Sequence, residues 1–311
     1  MVTKFERMYQ ARLAAGKYIC VGLDPDVRQI PECVVGKHDA VRVVHFLGNI
    51  IRATSQYAAA YKLQSSYYEG LGKRGPGALR AVVAIIRSID PTIPIILDYK
   101  RGDIGRSNEP YARLAFDTHR VDAVTIHPYL GMEAMEPFLS HTDKTIIVLC
   151  RTSNPGAGEF QDVDVHPARS VSSHKLYSTR NEGVREGDEG PFKYDRSMPL
   201  YQFVAHRVAQ SWNARGNCAV VVGATAPSEL KLVREIVGNM LILIPGIGTQ
   251  GGDLAASIVN GGDGDGGGFI LNNSSAILFA YKQAGNPEEY ASAAGQAAQQ
   301  MNTAVRKVLT A

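Results

Sequence analysis

Four charged residues in two short segments have the types and spacing of a site for proton transfer. In the stretch "IILDYKRGDIG", Asp98, Lys100 and Asp103 come directly after an apolar run. Asp98 and Lys100 are two residues apart, so both side chains are expected on one face of a strand. Lys62, in "AYKLQ", can extend this alternation of charge from a neighbouring strand. Ionisable groups that point into a core are costly unless they are paired, so the pattern predicts a charged array.

Pairing within such an array determines which groups keep their charge. The pKa of each carboxylate falls beside an ammonium group, and the pKa of each lysine rises beside a carboxylate. Every member of the array is therefore expected to stay ionised. The alternative interpretation is an ion-pair network that only stabilises the fold, and the pattern by itself leaves both interpretations open.

Short apolar runs, each followed by a segment with helical periodicity, must position these charges. Continuous apolar strands that alternate with helices indicate a parallel sheet covered on its outer face. The predicted strands end at or near Asp24, Gln64, Lys100, Tyr129, Ser153, Thr225, Ile247 and Asn273. Eight such units in 311 residues favour a closed (β/α)8 barrel, the TIM barrel, over an open doubly wound sheet. We expect one domain over residues 1–311.

Polar residues are concentrated where these strands end, which is where barrels of this kind build their active sites. They are Asp24, Lys62, Asp98, Lys100, His127, Ser153, Asn154 and Thr225. The turn "PGIGTQGGD" after the seventh strand adds glycines that let the backbone approach an anion, and a helix begins near Asp253. The position predicts a phosphate site, although glycines also form ordinary tight turns.

Two segments depart from the alternating pattern. Residues 161–198 are rich in charge, Ser and Gly with little apolar periodicity, which predicts a polar insertion that is either solvated surface or a functional lid. Residues from about 287 to 309 have the pattern of one helix, which we expect to cap the barrel.

The composition excludes several classes of protein. A net charge of +3 with dispersed basic residues does not indicate a nucleic-acid partner. No apolar run reaches the roughly 18 residues that span a bilayer, and the N-terminus lacks the apolar core of a signal peptide, so we expect no membrane partner. The four cysteines have no paired spacing. Buried thiols in a reducing cytoplasm are the expected interpretation.

With these motifs identified, the chain resembles the orotidine 5′-monophosphate decarboxylase family. "DYKRGDIG" is similar to that family's D-x-K-x-x-D-I signature, and "VGLDPD", "YKLQSSYYE", "TIHPYLG", "RTSNPGAGEFQD", "VVGATAP" and "PGIGTQGGD" follow in the family's order. The resemblance runs from about Tyr18 to Tyr281. The D-x-K-x-x-D pattern alone is shared with sugar-phosphate decarboxylases and aldolase-like synthases on the same fold, so an enzyme of that kind is the first alternative.

The resemblance implies decarboxylation of orotidine 5′-monophosphate to UMP without a cofactor or a metal. Lys100 would protonate C6 of the pyrimidine, Asp98 would face the leaving carboxylate, and Lys62 would hold the array and contact the ribose. Asp103 and Ile104 would complete the site of a neighbouring subunit, which implies a homodimer. The implied substrate-binding residues are Asp24, Ile104, Ser107, Ser153, Asn154, Thr225, Gly248, Gln250, Gly251 and Asn273, with "NPGAGEFQ" as a lid.

One departure from the family pattern concerns the phosphate. The family usually places an arginine after the eighth strand, whereas this chain reads "LNNSSAILFA", with Ser274, Ser275 and Ala276 in that region. Loss of a bidentate guanidinium should weaken phosphate binding. Backbone N–H groups with Gln250 could hold the phosphate instead, or an arginine of the insertion could substitute (Arg169, Arg180 or Arg185). A nucleotide-binding barrel without efficient catalysis is the second alternative.

Overall fold

Eight parallel strands close into a barrel in which each strand pairs with the next along the chain and the last pairs with the first. The computed structural model describes residues 2–166, 197–247 and 251–311. The strands are β1 (Ile19–Gly22), β2 (Ala58–Gln64), β3 (Ile95–Arg101), β4 (Ala123–Ile126), β5 (Thr145–Arg151), β6 (Cys218–Val222), β7 (Ile242–Pro245) and β8 (Phe269–Asn273). The predicted TIM barrel is confirmed.

Helices cover the outside of the barrel because their apolar stripes pack on the outward faces of the strands. The α-helices are α1 (Lys4–Ala14), α2 (Asp39–Thr54), α3 (Ser65–Glu69), α4 (Gly75–Ile89), α5 (Gly105–Arg113), α6 (Gly131–Leu139), α7 (Gly158–Gln161), α8 (Leu200–Gln210), α9 (Pro227–Val237), α10 (Leu254–Gly261), α11 (Ser275–Leu278), α12 (Tyr281–Ala284) and α13 (Tyr290–Leu309). A π-helical turn, Leu114–Thr118, continues α5, and short 3₁₀ turns cover Val27–Gln29, Gly72–Arg74, Pro155–Ala157, Trp212–Arg215 and Pro287–Glu289.

Several strands end two or three residues before the predicted position. β1 ends before Asp24 and β4 before Tyr129, because side chains replace the sheet as hydrogen-bond partners there. The Gln64 N–H donates to the Asp24 carboxylate, and the Tyr129 N–H donates to His127 Nδ1. The polar strand ends are therefore loops at the mouth of the barrel rather than further residues of the sheet.

Helix α1 closes the opposite end of the barrel. Its Phe5 and Tyr9 are fully buried in an apolar cluster with inward-facing strand residues such as Ile96 and Ile147. The Tyr9 hydroxyl donates to the Phe269 carbonyl at the start of β8, at 2.8 Å. The floor of the barrel is thus mostly apolar, and its buried hydroxyls of Thr3 and Thr145 lie 2.7 Å apart and bond to each other.

The C-terminal helix, which was expected to cap the barrel, instead packs in the outer layer. α13 lies against α2, α10 and α11, because its buried face (which includes Tyr290, Ala294 and Val305) matches the apolar faces of those helices. The position under the barrel is occupied by α1. None of the helices in the described ranges is long and apolar enough to cross a membrane.

A short antiparallel ribbon forms the base of the insertion after β5. Asp164–Val165 pairs with Met198–Pro199, so the two ends of the insertion are held together. Residues 167–196, which include Arg169, Arg180 and Arg185, lie outside the described residues. All four cysteines are free thiols; Cys33 is exposed and the other three are buried, as expected for three of them from the apolar runs.

The floor can be tested by truncating one of its large, fully buried side chains. Phe5→Ala should lower the free energy of unfolding by about 3–5 kcal/mol, because it removes buried apolar contacts and leaves a cavity. Phe160→Ala is the matched control, since Phe160 is 67% exposed, and it should change stability by less than about 1 kcal/mol. Urea denaturation of both variants is the measurement. Equal stability of the two would mean that α1 does not close the core.

Candidate active site

Two lysines from adjacent strands bind the two oxygens of one buried carboxylate. Asp98, on β3, is 7% exposed. Lys62 Nζ, on β2, lies 2.9 Å from Asp98 Oδ2, and Lys100 Nζ lies 2.6 Å from Asp98 Oδ1. Lys62 is buried at 4% exposure, whereas the side chain of Lys100 is 43% exposed at the mouth. The arrangement presents one accessible ammonium group above a buried pair.

Asp24, in the loop after β1, completes the surroundings of Lys62. Its Oδ2 lies 3.8 Å from Lys62 Nζ, and its Oδ1 accepts the Gln64 N–H at 3.2 Å. The Gln64 side chain also lies 3.5 Å from Asp98 Oδ2 through its Nε2. Lys62 therefore lies between two carboxylates. Of the four residues predicted to form the charged array, Lys62, Asp98 and Lys100 are joined by ion pairs and Asp103 is not among them, whereas Asp24 is a further member.

The charges of the array stabilise one another. Burial raises the pKa of Asp98, but the ammonium groups of Lys62 and Lys100 outweigh burial and hold that pKa well below its usual range. Burial lowers the pKa of Lys62, but the carboxylates of Asp24 and Asp98 outweigh it, and the net pKa is raised. Both shifts have the predicted direction. Asp98 and Lys62 consequently carry full and opposite charges.

Two polar residues near Asp98 were missed by the sequence reasoning. The Thr125 hydroxyl, on β4, donates to Asp98 Oδ1 at 2.8 Å, and Gln64 makes the contacts described above. Strand parity could have found Thr125, because Ala123 and Thr125 share the inward face of β4 and a hydroxyl in an apolar strand needs a partner.

The residues after β5 and β6 form the opposite side of the mouth. The Thr225 hydroxyl donates to the Ser153 carbonyl at 3.2 Å, so the two loops are joined. A Cβ on Gly223 would lie 2.6 Å from Ser153, which shows how closely the backbones approach. Asn154 is exposed, and its Oδ1 accepts a hydrogen bond from the Thr152 hydroxyl at 2.7 Å.

The ends of β7 and β8 carry the predicted phosphate region. Gly251 has a φ of +83°, in the left-handed region that favours glycine. Asn273 is buried, and its Nδ2 donates to the Ile247 carbonyl at 3.2 Å. Gly248 and Gln250, the other residues predicted for phosphate binding, lie outside the described residues. Asn272, which the sequence reasoning did not select, follows Ile270 on the inward face of β8.

Asp103, Ile104 and Ser107 lie on the outer lip of the mouth, where α5 begins. Asp103 Oδ1 accepts the Ile104 N–H at 2.7 Å, and the Asp103 N–H donates to Asn108 Oδ1 at 3.0 Å. Ile104 is 66% exposed, an unusual state for a large apolar side chain. Among the ion pairs between described residues of this chain, none joins Asp103 to a lysine. Within one chain, Asp103 is therefore separate from the array.

The segment after β8 lacks a cation at the predicted phosphate position. Ser274 donates through its hydroxyl to the Gly22 carbonyl at 3.3 Å, Ser275 is exposed, and Ala276 follows within α11. Within the described residues, no group of three or more His, Cys, Asp or Glu side chains is arranged to hold a metal ion.

Replacing Asp98, the carboxylate that both lysines bind, should show how the stability contributed by the array depends on pH. Asp98→Asn should lower the free energy of unfolding by about 3–5 kcal/mol near neutral pH, because it leaves Lys62 and Lys100 without their shared anion. The folded-state pKa of Asp98 is depressed, so its stabilisation is present above the unfolded pKa of about 4 and is lost as pH falls further. The difference in the free energy of unfolding between parent and variant should therefore become smaller as pH falls from about 4 to about 2.

Denaturant unfolding of parent and variant across this pH range measures this difference. Asp39→Asn is the control, because Asp39 is an exposed member of a surface pair with Arg42 and should change stability by about 1 kcal/mol or less. If the difference in the free energy of unfolding between parent and Asp98→Asn stays constant with pH, the depressed pKa of Asp98 is contradicted.

Comparisons with known proteins agree with this geometry. The model of the orotidine 5′-phosphate decarboxylase / HUMPS family matches residues 17–293. The orotidine 5′-phosphate decarboxylase of Janthinobacterium sp. (strain Marseille) is 40% identical over 291 residues, which is 94% of this chain and 93% of that protein. The solved OMP decarboxylase of Leishmania donovani is 31% identical with a TM-score of 0.77, and the match covers 99% of both chains.

A longer solved protein also contains this fold. The UMP synthase of Leishmania donovani is 32% identical with a TM-score of 0.77; the match covers all of this chain and 57% of that one. The family model covers most of the chain, and the relatives match it nearly end to end. The chain therefore belongs to the orotidine 5′-phosphate decarboxylase / HUMPS family.

Proposed function

We propose that this protein decarboxylates orotidine 5′-monophosphate to UMP, the last step of pyrimidine nucleotide synthesis. The observation that carries the proposal is the Lys62–Asp98–Lys100 array at the mouth of the barrel. It joins an accessible ammonium group to a carboxylate that keeps its charge. The names of the relatives support the same substrate.

In this reaction the bond from C6 of the pyrimidine to its carboxylate carbon breaks. The electron pair stays on C6 as carbon dioxide leaves, and a proton from Lys100 Nζ then forms the new C6–H bond. Solvent returns a proton to Lys100, whose side chain is 43% exposed. The ammonium group is thus both a proton donor and a stabiliser of the charge that develops on C6.

Repulsion between Asp98 and the substrate carboxylate can supply only part of the acceleration. Two like charges about 4 Å apart at an effective dielectric constant near 20 repel by roughly 4 kcal/mol. Relief of all that repulsion would accelerate the reaction about a thousandfold. Stabilisation by Lys100 and binding energy from the remote phosphate must therefore contribute to the remainder.

The remaining polar residues would bind the nucleotide. Asp24 and Lys62 would meet ribose hydroxyls, and Ser153 with Asn154 would meet the amide edge of the pyrimidine. Thr225 joins the loop that carries Ser153, and this contact would fix the base-binding side of the mouth. The backbone near Gly251 and the amide of Asn273, with Gly248 and Gln250, would hold the phosphate.

The proposed working unit is a homodimer in which each chain supplies Asp103, Ile104 and Ser107 to the other chain's site. Two observations support it. Asp103 makes no ion pair with the array within the described part of its own chain. Ile104 exposes an apolar side chain on the lip, where a second copy could cover it.

The first test is loss of the orotate absorbance when the purified protein is added to orotidine 5′-monophosphate in the presence of a chelator. Parent turnover should survive chelation, and Lys100→Ala should abolish it because no proton donor remains. Lys231→Ala, on the exposed face of α9, is the matched control and should keep full activity. Tight binding of UMP without any turnover by the parent would indicate a nucleotide-binding barrel instead.

The second test is complementation between two inactive variants. If Asp103 serves the partner's site, a mixture of Lys100→Ala and Asp103→Ala chains, unfolded and refolded together, should regain about a quarter of the native sites. Half of the dimers would be mixed, and each of those would contain one intact site. A mixture of Lys100→Ala with Asp98→Asn is the control; it should regain nothing, because both residues belong to the same chain's array. Absence of recovery in the first mixture would refute a shared site.

A further inference from the structure

We propose that Thr125 is a positioning residue that sets the Asp98–Lys100 pair in its reactive geometry. The inference rests on the decarboxylation proposed above and assigns a role to strand β4, which supplies no group to that chemistry. Thr125 is 1% exposed and faces the barrel interior. Its Oγ1 lies 2.8 Å from Asp98 Oδ1 and 3.1 Å from the Lys100 backbone nitrogen.

The direction of both hydrogen bonds follows from the chemistry of the groups. The Lys100 N–H can only donate, so Thr125 Oγ1 accepts from it. The ionised carboxylate of Asp98 can only accept, so the single hydroxyl proton of Thr125 points to Asp98. Asp98 Oδ1 also accepts from Lys100 Nζ at 2.6 Å. One hydroxyl therefore fixes the backbone of the proton donor and the carboxylate oxygen that holds its ammonium group.

The backbone of Lys100 needs this support. Lys100 has a φ of +48°, in the left-handed region that non-glycine residues rarely adopt. Such a conformation costs roughly 1–2 kcal/mol and persists only where its surroundings impose it. The pairing of β3 with β4 shifts in register between Leu97 and Arg101, so the regular sheet does not hold Lys100 there. Thr125 provides the acceptor that the sheet does not.

The next polar residue of this segment secures the chain beyond Lys100. The His127 N–H donates to the Arg101 carbonyl at 3.1 Å. His127 Nδ1 accepts the Tyr129 N–H, so Nε2 carries the ring proton and donates to the Gly102 carbonyl at 2.9 Å. A Cβ on Gly102 would lie 2.4 Å from that ring. Thr125 and His127 thus hold the irregular end of β3 from the same side.

Substitutions at position 125 can distinguish a positioning role of the threonine hydroxyl from a packing role of its methyl group. Valine has nearly the same shape as threonine but can neither donate nor accept, so Thr125→Val removes both hydrogen bonds and keeps the volume. Serine loses the methyl group but keeps the hydroxyl, so Thr125→Ser should preserve both bonds. Thr145 offers a matched control: it is a fully buried strand threonine at the floor of the barrel, bonded to the Thr3 hydroxyl at 2.7 Å.

The experiment measures kcat, KM and the midpoint of thermal unfolding for the three variants, with orotidine 5′-monophosphate as the substrate. Thr125→Val should lower kcat about ten- to a hundredfold, with less than about a threefold change in KM. Thr125→Ser should retain kcat within about threefold of the parent. Thr145→Val should lower the midpoint without lowering kcat.

Each contrary result overturns the inference in a recognisable way. Unchanged kcat in Thr125→Val would show that the hydroxyl does not position the pair, and equal losses in the valine and serine variants would show that the methyl group acts by packing. If Thr125→Val does not fold, the serine variant alone decides, because a loss of kcat despite its hydroxyl contradicts positioning. If the parent is inactive, both the proposed function and the inference are overturned. If the parent is active and Thr125→Val is fully active too, only the inference is overturned.

Discussion

The Asp98 carboxylate lies almost out of reach of solvent, and two ammonium groups, from Lys62 and Lys100, bind its two oxygens. Neither Asp98 nor Lys62 could be buried alone, because an isolated ion in a protein interior loses far more hydration energy than packing returns. Each therefore depends on the other, and both depend on strands β2 and β3 being adjacent. Asp24 supplies the second anion beside Lys62, so the four members of the array (Asp24, Lys62, Asp98 and Lys100) comprise two carboxylates and two ammonium groups.

The same strands contribute to a mostly apolar floor at one end of the barrel and to a polar mouth at the other. On four of the strands (β2, β3, β4 and β8) an apolar inward-facing residue is followed toward the mouth by a polar one: Ala60 precedes Lys62, Ile96 precedes Asp98, Ala123 precedes Thr125 and Ile270 precedes Asn272. Helix α1 keeps water from the floor, so the polar layer is open on one side only. Because the polar side chains stand on paired strands, their separation is set by the sheet and not by loops.

The fold and the centre of the site could be predicted from the sequence because both follow from short-range patterns of apolar and charged residues. Alternating apolar strands and helices predicted the barrel, and the spacing of Asp98 and Lys100 with Lys62 predicted the array. Thr125 was not predicted: strand parity places its hydroxyl on the inward face of β4, but its partner, Asp98 on β3, is identified only once the two strands pair. The C-terminal helix was misplaced for a related reason: its apolar face predicts that it packs, but not on which neighbour.

The sequence by itself determined which residues are charged, which segments are strands, and that the charged residues fall at strand ends. Only the tertiary structure decided that Lys100 takes a left-handed backbone conformation and that Asp103 stays apart from the array of its own chain. These outcomes depend on the register shift between β3 and β4 and on hydrogen bonds between residues far apart in the sequence. Local propensity cannot encode such contacts, because they exist only after the barrel has closed and brought the strands together.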